Sequence, residues 1–150
     1  MATMISNKNQ ANRAKLYATA LSFLGVDASP KDLAIDDLGC ADSVSSIILN
    51  CFGPILRYSV STAEMFNLLN ASPDFVRTKT PSFGDIIISP TGKGKSAAMP
   101  NGHVGIVGEG EEIMSNSSAT GLWTNNYTIA SWVARYRDKG GYPIYFFRKV

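Results

Sequence analysis

Residues 39–51, GCADSVSSIILNC, place a cysteine where a segment rich in turn-forming residues becomes an apolar run. The apolar side chains of the run recur at helical spacing, and Gly53-Pro54 follows as a stop signal. The stretch therefore predicts a helix that begins at or next to Cys40. Cys51 would lie on the same helix about 16 Å away at ~1.5 Å per residue, too far for a disulfide.

The position of Cys40 allows two interpretations. Free cysteine is among the most buried residue types, and Cys51, which continues the apolar face, fits a packing role. At a helix N-terminus, by contrast, backbone N–H groups and the helix dipole lower the pKa of a thiol and can stabilise an oxyanion. The acids Asp36, Asp37 and Asp42 would raise that pKa, so a reactive Cys40 would need a cationic partner.

The rest of the chain predicts helices first and strands afterwards, an α+β plan with helices packed on an antiparallel sheet. The whole chain, 1–150, is expected to form a single domain, with residues 1–10 as a flexible leader. The predicted helices are 11–25, the run from Cys40, a short helix after a capping box at 61–64, and 128–140. The predicted strands are 55–60, 84–89, 102–108, 111–117 and 142–150, with 102–108 and 111–117 forming a hairpin.

Composition and charge exclude several classes of function. The chain is 45% hydrophobic and 17% charged, with a net charge of +2, which is ordinary for a globular protein and unlike a nucleic-acid-binding domain. No run approaches the roughly 18 apolar residues of a membrane span, and the N-terminus lacks the apolar core of a signal peptide. We therefore expect no nucleic-acid partner, no membrane span and synthesis in the cytoplasm.

The single histidine, His103, lies in GHVGIVG. One histidine and two cysteines are too few for the usual metal sites, and no metal or cofactor is predicted. One histidine does suffice as a catalytic base, and it is the only candidate partner for the thiolate that titrates near neutral pH. In a strand Gly105 shares the face of His103, so a neighbour could approach the ring there, although a histidine bonded only to backbone is the simpler interpretation.

One segment imitates a phosphate-binding loop. Residues 86–99, IIISPTGKGKSAAM, contain Gly94-Lys95-Ser96, but Ser89 stands where the motif requires glycine and no helix is expected afterwards. We therefore predict a cationic surface loop.

The order GCADSV, FGDIII and GHVGIV resembles the papain-like cell-wall cysteine peptidases of the CHAP and NlpC types, including small phage-associated members. The resemblance implies that Cys40 is the nucleophile, that His103 is the base, and that a polar residue on the next strand orients the imidazole. The family spacing falls on Ser115 without a gap and on Asn116 with one extra residue. We choose Asn116, because its side-chain carbonyl can accept from the imidazole N–H.

The resemblance also implies a substrate. The enzyme would cleave amide bonds of peptidoglycan stem peptides or cross-bridges through an acyl-enzyme. We expect Ser115, Asp42 and Trp123 to contact the substrate. Asn125, Asn126 and Trp132 are further candidates near the site for contacts with sugar or peptide. Without a signal peptide it would reach the wall after lysis, tail delivery or passage through a secretion machine, as a phage or secretion-system component.

Two alternatives remain open from the sequence. One is a cysteine peptidase or amidase of the same fold that acts on a substrate other than the wall, inside the cell. The other is a virion or binding module in which Cys40 is merely buried. The cysteine motif, Gly-Cys-Ala-Asp, departs from the Asp-Cys-Ser-Gly that is usual in the NlpC type. The absence of a tyrosine in residues 26–39 favours the CHAP type.

Overall fold

The computed structural model describes residues 2–31 and 38–150, and its centre is a six-stranded sheet in which all neighbours pair antiparallel. The strand order is β1-β6-β2-β3-β4-β5. The strands are β1 (Phe75–Thr78), β2 (Ile86–Ser89), β3 (His103–Val107), β4 (Glu112–Asn116), β5 (Trp123–Thr128) and β6 (Tyr145–Lys149). The helices are α1 (Ala2–Ser22), α2 (Gly39–Phe52), α3 (Thr62–Ala71) and α4 (Ile129–Trp132), which continues as a π-helix over Val133–Lys139. The predicted α+β plan with an antiparallel sheet is confirmed.

The sheet separates two hydrophobic clusters. Helices α1, α2 and α3 pack on one face, and α4 with the π-helix packs on the other. Successive side chains of a strand point to opposite faces of the sheet. The helical layer that contains α2 is therefore packed by Ile86, Ile88, Val104 and Ile106, whereas Ile87 belongs to the cluster around the π-helix. The strands are therefore apolar on both faces, as expected for a sheet covered on both sides.

Helix α2 is the most deeply buried helix of the described part of the chain. It begins at Gly39, one residue before Cys40, and ends at Gly53, whose φ of 77° suits a glycine. Cys51 lies in the core of the helical layer, and both cysteines are free thiols. The predicted start, stop and core face of this helix are confirmed.

The prediction of a strand at residues 55–60 is wrong. This segment anchors α2 from outside the sheet: Ser45 Oγ donates to Ser59 O at 2.7 Å, and the Tyr58 hydroxyl donates to the Asp42 carboxylate. Two strands, β1 and β5, were not predicted. Neither has a clear strand pattern in the sequence, because β1 is short and β5 (WTNNYT) has few apolar residues. Pairing with neighbouring strands holds them in the extended conformation.

The segment expected to be a flexible leader is largely helical. Helix α1 begins at Ala2, because residues 2–10 contain neither glycine nor proline to stop a helix from extending toward the N-terminus. Among the described residues, no helix has both the length and the apolar character needed to cross a membrane.

Candidate active site

A cleft of about 390 Å³ opens at the point where the N-terminus of α2 meets the start of β3. Cys40 and His103 both line it, although 63 positions separate them in the sequence. Residues 98–102, which lead into β3, and residues 117–119, which follow β4, are also part of its lining. The structure thus brings the two predicted catalytic residues to one cavity.

Cys40 lies in the first turn of α2 and is 3% exposed. The N-cap residue, Leu38, makes no side-chain capping bond, so no carboxylate or hydroxyl at that position covers the positive end of the helix dipole. Cys51, at the other end of the same helix, has its pKa raised by burial, which keeps it a neutral thiol.

Asp42 is not at the cleft. Its carboxylate is fully buried, where it accepts hydrogen bonds from the Ser29 and Tyr58 hydroxyls and, at 3.1 Å, from the backbone N–H of Lys31. These bonds fasten the segment before α2 and the segment after it to the first turn of the helix. Asp42 therefore holds the position of Cys40 instead of contacting the cavity. The other two acids expected near the thiol, Asp36 and Asp37, lie outside the described residues.

His103 begins β3, and the backbone before it is tightly held. A Cβ on Gly102 would lie 1.9 Å from the carbonyl oxygen of Ser89, so only glycine allows the two strands to approach this closely. The Gly102 N–H donates to Thr91 Oγ1 at 2.9 Å. The imidazole therefore projects from a fixed point at the end of the β2–β3 pair.

A chain of hydrogen bonds sets the tautomer of the His103 imidazole. His103 Nε2 lies 2.9 Å from Ser115 Oγ, and Ser115 donates to Asn126 Oδ1 at 2.6 Å. Because an amide oxygen can only accept, the Ser115 proton points to Asn126, and Ser115 must accept from His103. The neutral ring then carries its proton on Nε2, which leaves Nδ1 as the basic nitrogen.

Ser115, not Asn116, is the residue that contacts the imidazole. Ile106 pairs with Met114 and Val107 with Ile113, and Gly105 lies against Ser115, so β3 and β4 keep this register up to Ser115 without an extra residue. The side chains of His103 and Ser115 then lie on the same sheet face, and a Cβ on Gly105 would lie 3.2 Å from that of Ser115. The close neighbour predicted at Gly105 is thus Ser115. Asn116 also lines the cleft, but with its side chain on the other face.

A β-bulge supplies the last member of the chain. Ile113 pairs with Tyr127 and Met114 with Asn125, so Asn126 is an extra residue on β5. A bulge interrupts the alternation of side chains and redirects one of them. Here the amide of Asn126 reaches Ser115 while the neighbouring ring of Tyr127 lies 5.9 Å from His103.

Aromatic rings surround His103. Trp132 stacks on the imidazole with centroids 5.2 Å apart, and Tyr136 lies nearly parallel to it at 5.9 Å. Trp132 is anchored in turn, because its indole N–H donates to Ser89 Oγ at 3.1 Å. Burial among these rings, together with the positive charge of Arg135, lowers the pKa of His103 to about 4. The ring keeps some solvent access at the cleft and is neutral at physiological pH.

Trp123 is fully buried in the helical layer and does not line the cleft. The six predicted site residues therefore lie in three different places. Cys40, His103 and Asn116 line the cleft, Ser115 lies beneath it against the ring, and Asp42 and Trp123 lie in the core. Among the described residues no group of three or more histidine, cysteine, aspartate or glutamate side chains could hold a metal ion.

Sequence reasoning expected Asn126 and Trp132 near the site, where both lie, but it missed the bulge and the π-helix. The aromatic residues of 127–136 were visible in the sequence, but π-helical geometry and an extra residue in a strand have no local signature.

The segment that imitates a phosphate-binding loop is indeed followed by no helix. It is held at its middle, where Lys95 N–H donates to Gly140 O at 2.9 Å, and its last residues border the cleft.

No protein-family model matches the chain, and no curated protein sequence matches it. Its fold is similar to that of a chain in the crystal structure of the type VI native effector–immunity complex Tae3–Tai3 from Ralstonia pickettii. The match has a TM-score of 0.59 and 18% identity, and it covers 92% of this chain and 98% of that chain. At this identity the likeness establishes the fold, and the roles of residues rest on the geometry of the cleft.

Proposed function

We propose that the protein is a cysteine amidase or endopeptidase with a papain-like arrangement, acting on amide bonds of peptidoglycan stem peptides or cross-bridges. The observation that carries the proposal is the presence, in one cleft, of a cysteine at a helix N-terminus and a histidine with its Nε2 engaged by Ser115. A thiol needs a base nearby, and the base needs a third group that orients it. Cys40, His103 and the pair Ser115–Asn126 supply these roles.

The chemistry follows from the tautomer of His103. Nδ1 takes the proton of Cys40, and the thiolate attacks the amide carbonyl carbon to form a tetrahedral oxyanion near the Cys40 backbone N–H. His103 then protonates the leaving nitrogen, the C–N bond breaks, and a thioester remains on Cys40. Water attacks the thioester while His103 takes its proton, which releases a carboxylic acid and restores the thiol. The low pKa of His103 means that the resting pair is neutral and that proton transfer accompanies attack.

The choice of a wall substrate has two supports. The sequence resembles the CHAP and NlpC peptidases in the order of its cysteine, Gly-Asp and Gly-His segments. The similar solved structure belongs to a type VI effector–immunity complex, which suits a protein that a secretion machine delivers to the wall.

The test is incubation of the purified protein with peptidoglycan sacculi, followed by quantification of new amino groups and mass spectrometry of the released muropeptides. Cys40→Ala should abolish release, because it removes the nucleophile. Cys51→Ala is the matched control, since it alters the other buried thiol of the same helix and should retain activity. Hydrolysis that persists in Cys40→Ala would refute the mechanism, and cleavage of a general peptide library but not of sacculi would refute the wall substrate.

A further inference from the structure

The electrostatic character of the cleft depends on one residue. Among the described residues that line it, Arg135 is the only one with a permanent charge, and no aspartate or glutamate is present. An exposed guanidinium beside a peptide-sized cavity whose described lining contains no carboxylate is a candidate recognition group.

Neighbouring tyrosines hold this guanidinium in place. Its carbon lies 5.7 Å from the ring centroid of Tyr136, and the neighbouring hydroxyls of Tyr136 and Tyr127 raise the pKa of Arg135. A guanidinium has five N–H donors, so two tyrosine oxygens leave enough for a further two-point contact. A fixed donor fork loses less entropy on binding than a freely moving side chain.

The next basic residue of the π-helix shows the contrast. Arg137 is 64% exposed, pairs with Asp138 at 3.2 Å, and does not line the cleft. Arg135 and Arg137 therefore differ in surroundings while sharing element, charge and length.

Tyr136 also fixes the relation between Arg135 and the base. The centroid of its ring lies 5.7 Å from the guanidinium carbon of Arg135 and 5.9 Å from the imidazole centroid of His103. The two functional groups are thus separated by no more than the reach of about four extended residues, at ~3.5 Å each. A group bound by Arg135 would belong to the same substrate molecule that His103 serves.

We propose that Arg135 binds a free carboxylate of the substrate, located within about four residues of the scissile amide, and so selects acidic peptides over their carboxamide forms. This inference rests on the proposed function and names the substrate class of the same site. A carboxylate matches the planar fork of the guanidinium with two parallel hydrogen bonds, whereas a carboxamide has only one acceptor oxygen and no charge. Stem peptides carry such free or amidated carboxyl groups beside their amide bonds.

Binding, not turnover, provides the decisive measurement. Cys40→Ala protein is titrated with synthetic stem peptides in which each carboxyl group in turn is either free or amidated, at fixed ionic strength. We expect one free carboxylate to improve affinity roughly tenfold, the effect of a charge-assisted pair at a partly exposed site. Adding Arg135→Gln should remove that difference, Arg135→Lys should keep part of it, and Arg137→Gln should leave it unchanged.

The outcomes separate the two proposals. Equal affinity for free and amidated peptides, or a preference that survives Arg135→Gln in protein with unchanged thermal stability, would overturn the assignment of Arg135. A preference that requires Arg135 supports the assignment even if the wild-type protein cleaves no sacculi, in which case only the proposed hydrolysis fails. Competition by inorganic phosphate as strong as that of the free peptide would show a general anion site and would also overturn carboxylate selection.

Discussion

Replacement of Ser115 by alanine removes the acceptor that engages His103. In the wild-type protein Nε2–H donates to Ser115 Oγ at 2.9 Å, and Ser115 donates onward to Asn126 at 2.6 Å. In Ser115→Ala the ring loses this fixed partner, and both its tautomer and its rotation about the stacked rings become less restricted. We therefore expect a loss of catalytic rate with little change in KM.

The magnitude follows from the cost of a donor left without an acceptor in a largely buried site. That cost is about 2 kcal/mol, which corresponds to roughly 30-fold in kcat/KM. Asn116→Ala should cost much less in rate, because Asn116 lies on the opposite face of β4 from the imidazole. Ser117→Ala is the matched serine control, since Ser117 also lines the cleft.

His103 is the only histidine, so a nitrogen–proton NMR spectrum contains a single imidazole and needs no assignment. The wild-type ring at pH 7 should be the neutral form protonated at Nε2, and Ser115→Ala should shift the Nε2 resonance and mix the two tautomers. The rate of amino-group release from peptidoglycan supplies the kinetic comparison. A wild-type ring protonated at Nδ1, or a full effect in Asn116→Ala and none in Ser115→Ala, would refute the relay.

Three further predictions concern the surroundings of the relay. Burial lowers the pKa of His103 from 6.5 to about 4, so the imidazole is protonated at a higher pH in the unfolded chain than in the folded one. The free energy of unfolding should therefore be highest above pH 6.5 and fall by up to about 3 kcal/mol as the pH drops toward 4. Urea unfolding at pH 7 and pH 4 measures this loss, which His103→Gln should reduce. Iodoacetamide should label Cys40 well before Cys51, since only Cys40 lines the cleft and burial raises the pKa of Cys51; mass spectrometry of the peptides gives both rates, and equal rates would favour a purely structural Cys40. Asp42→Ala should lower the free energy of unfolding by about 2–4 kcal/mol, because three donors lose their buried acceptor; a changed KM at full stability would instead restore Asp42 to a substrate-contacting role.

The backbone plan could be predicted where local signals are strong. The start of α2 beside Cys40, its stop at Gly53, and the hairpin of β3 and β4 all follow from periodicity and glycine placement. The segment at 55–60 could not be predicted, because a β-rich composition does not reveal that the Tyr58 hydroxyl and the backbone of Ser59 bind α2 instead of a neighbouring strand.

The candidate site shows the same division. The sequence by itself determined that Cys40 opens a helix and that His103 begins a strand, because both positions follow from the residues immediately around them. The choice between Ser115 and Asn116 depended on whether the β3–β4 turn contains an extra residue, since a shift of one residue moves a side chain to the other face. Only the tertiary structure decided it, through a regular β3–β4 ladder and a bulge at Asn126 on the next strand. Likewise, only the fold placed the rings of Trp132 and Tyr136 around the imidazole and Arg135 beside the cleft. Such contacts join segments that are far apart in the sequence, and sequence separation does not determine distance in space.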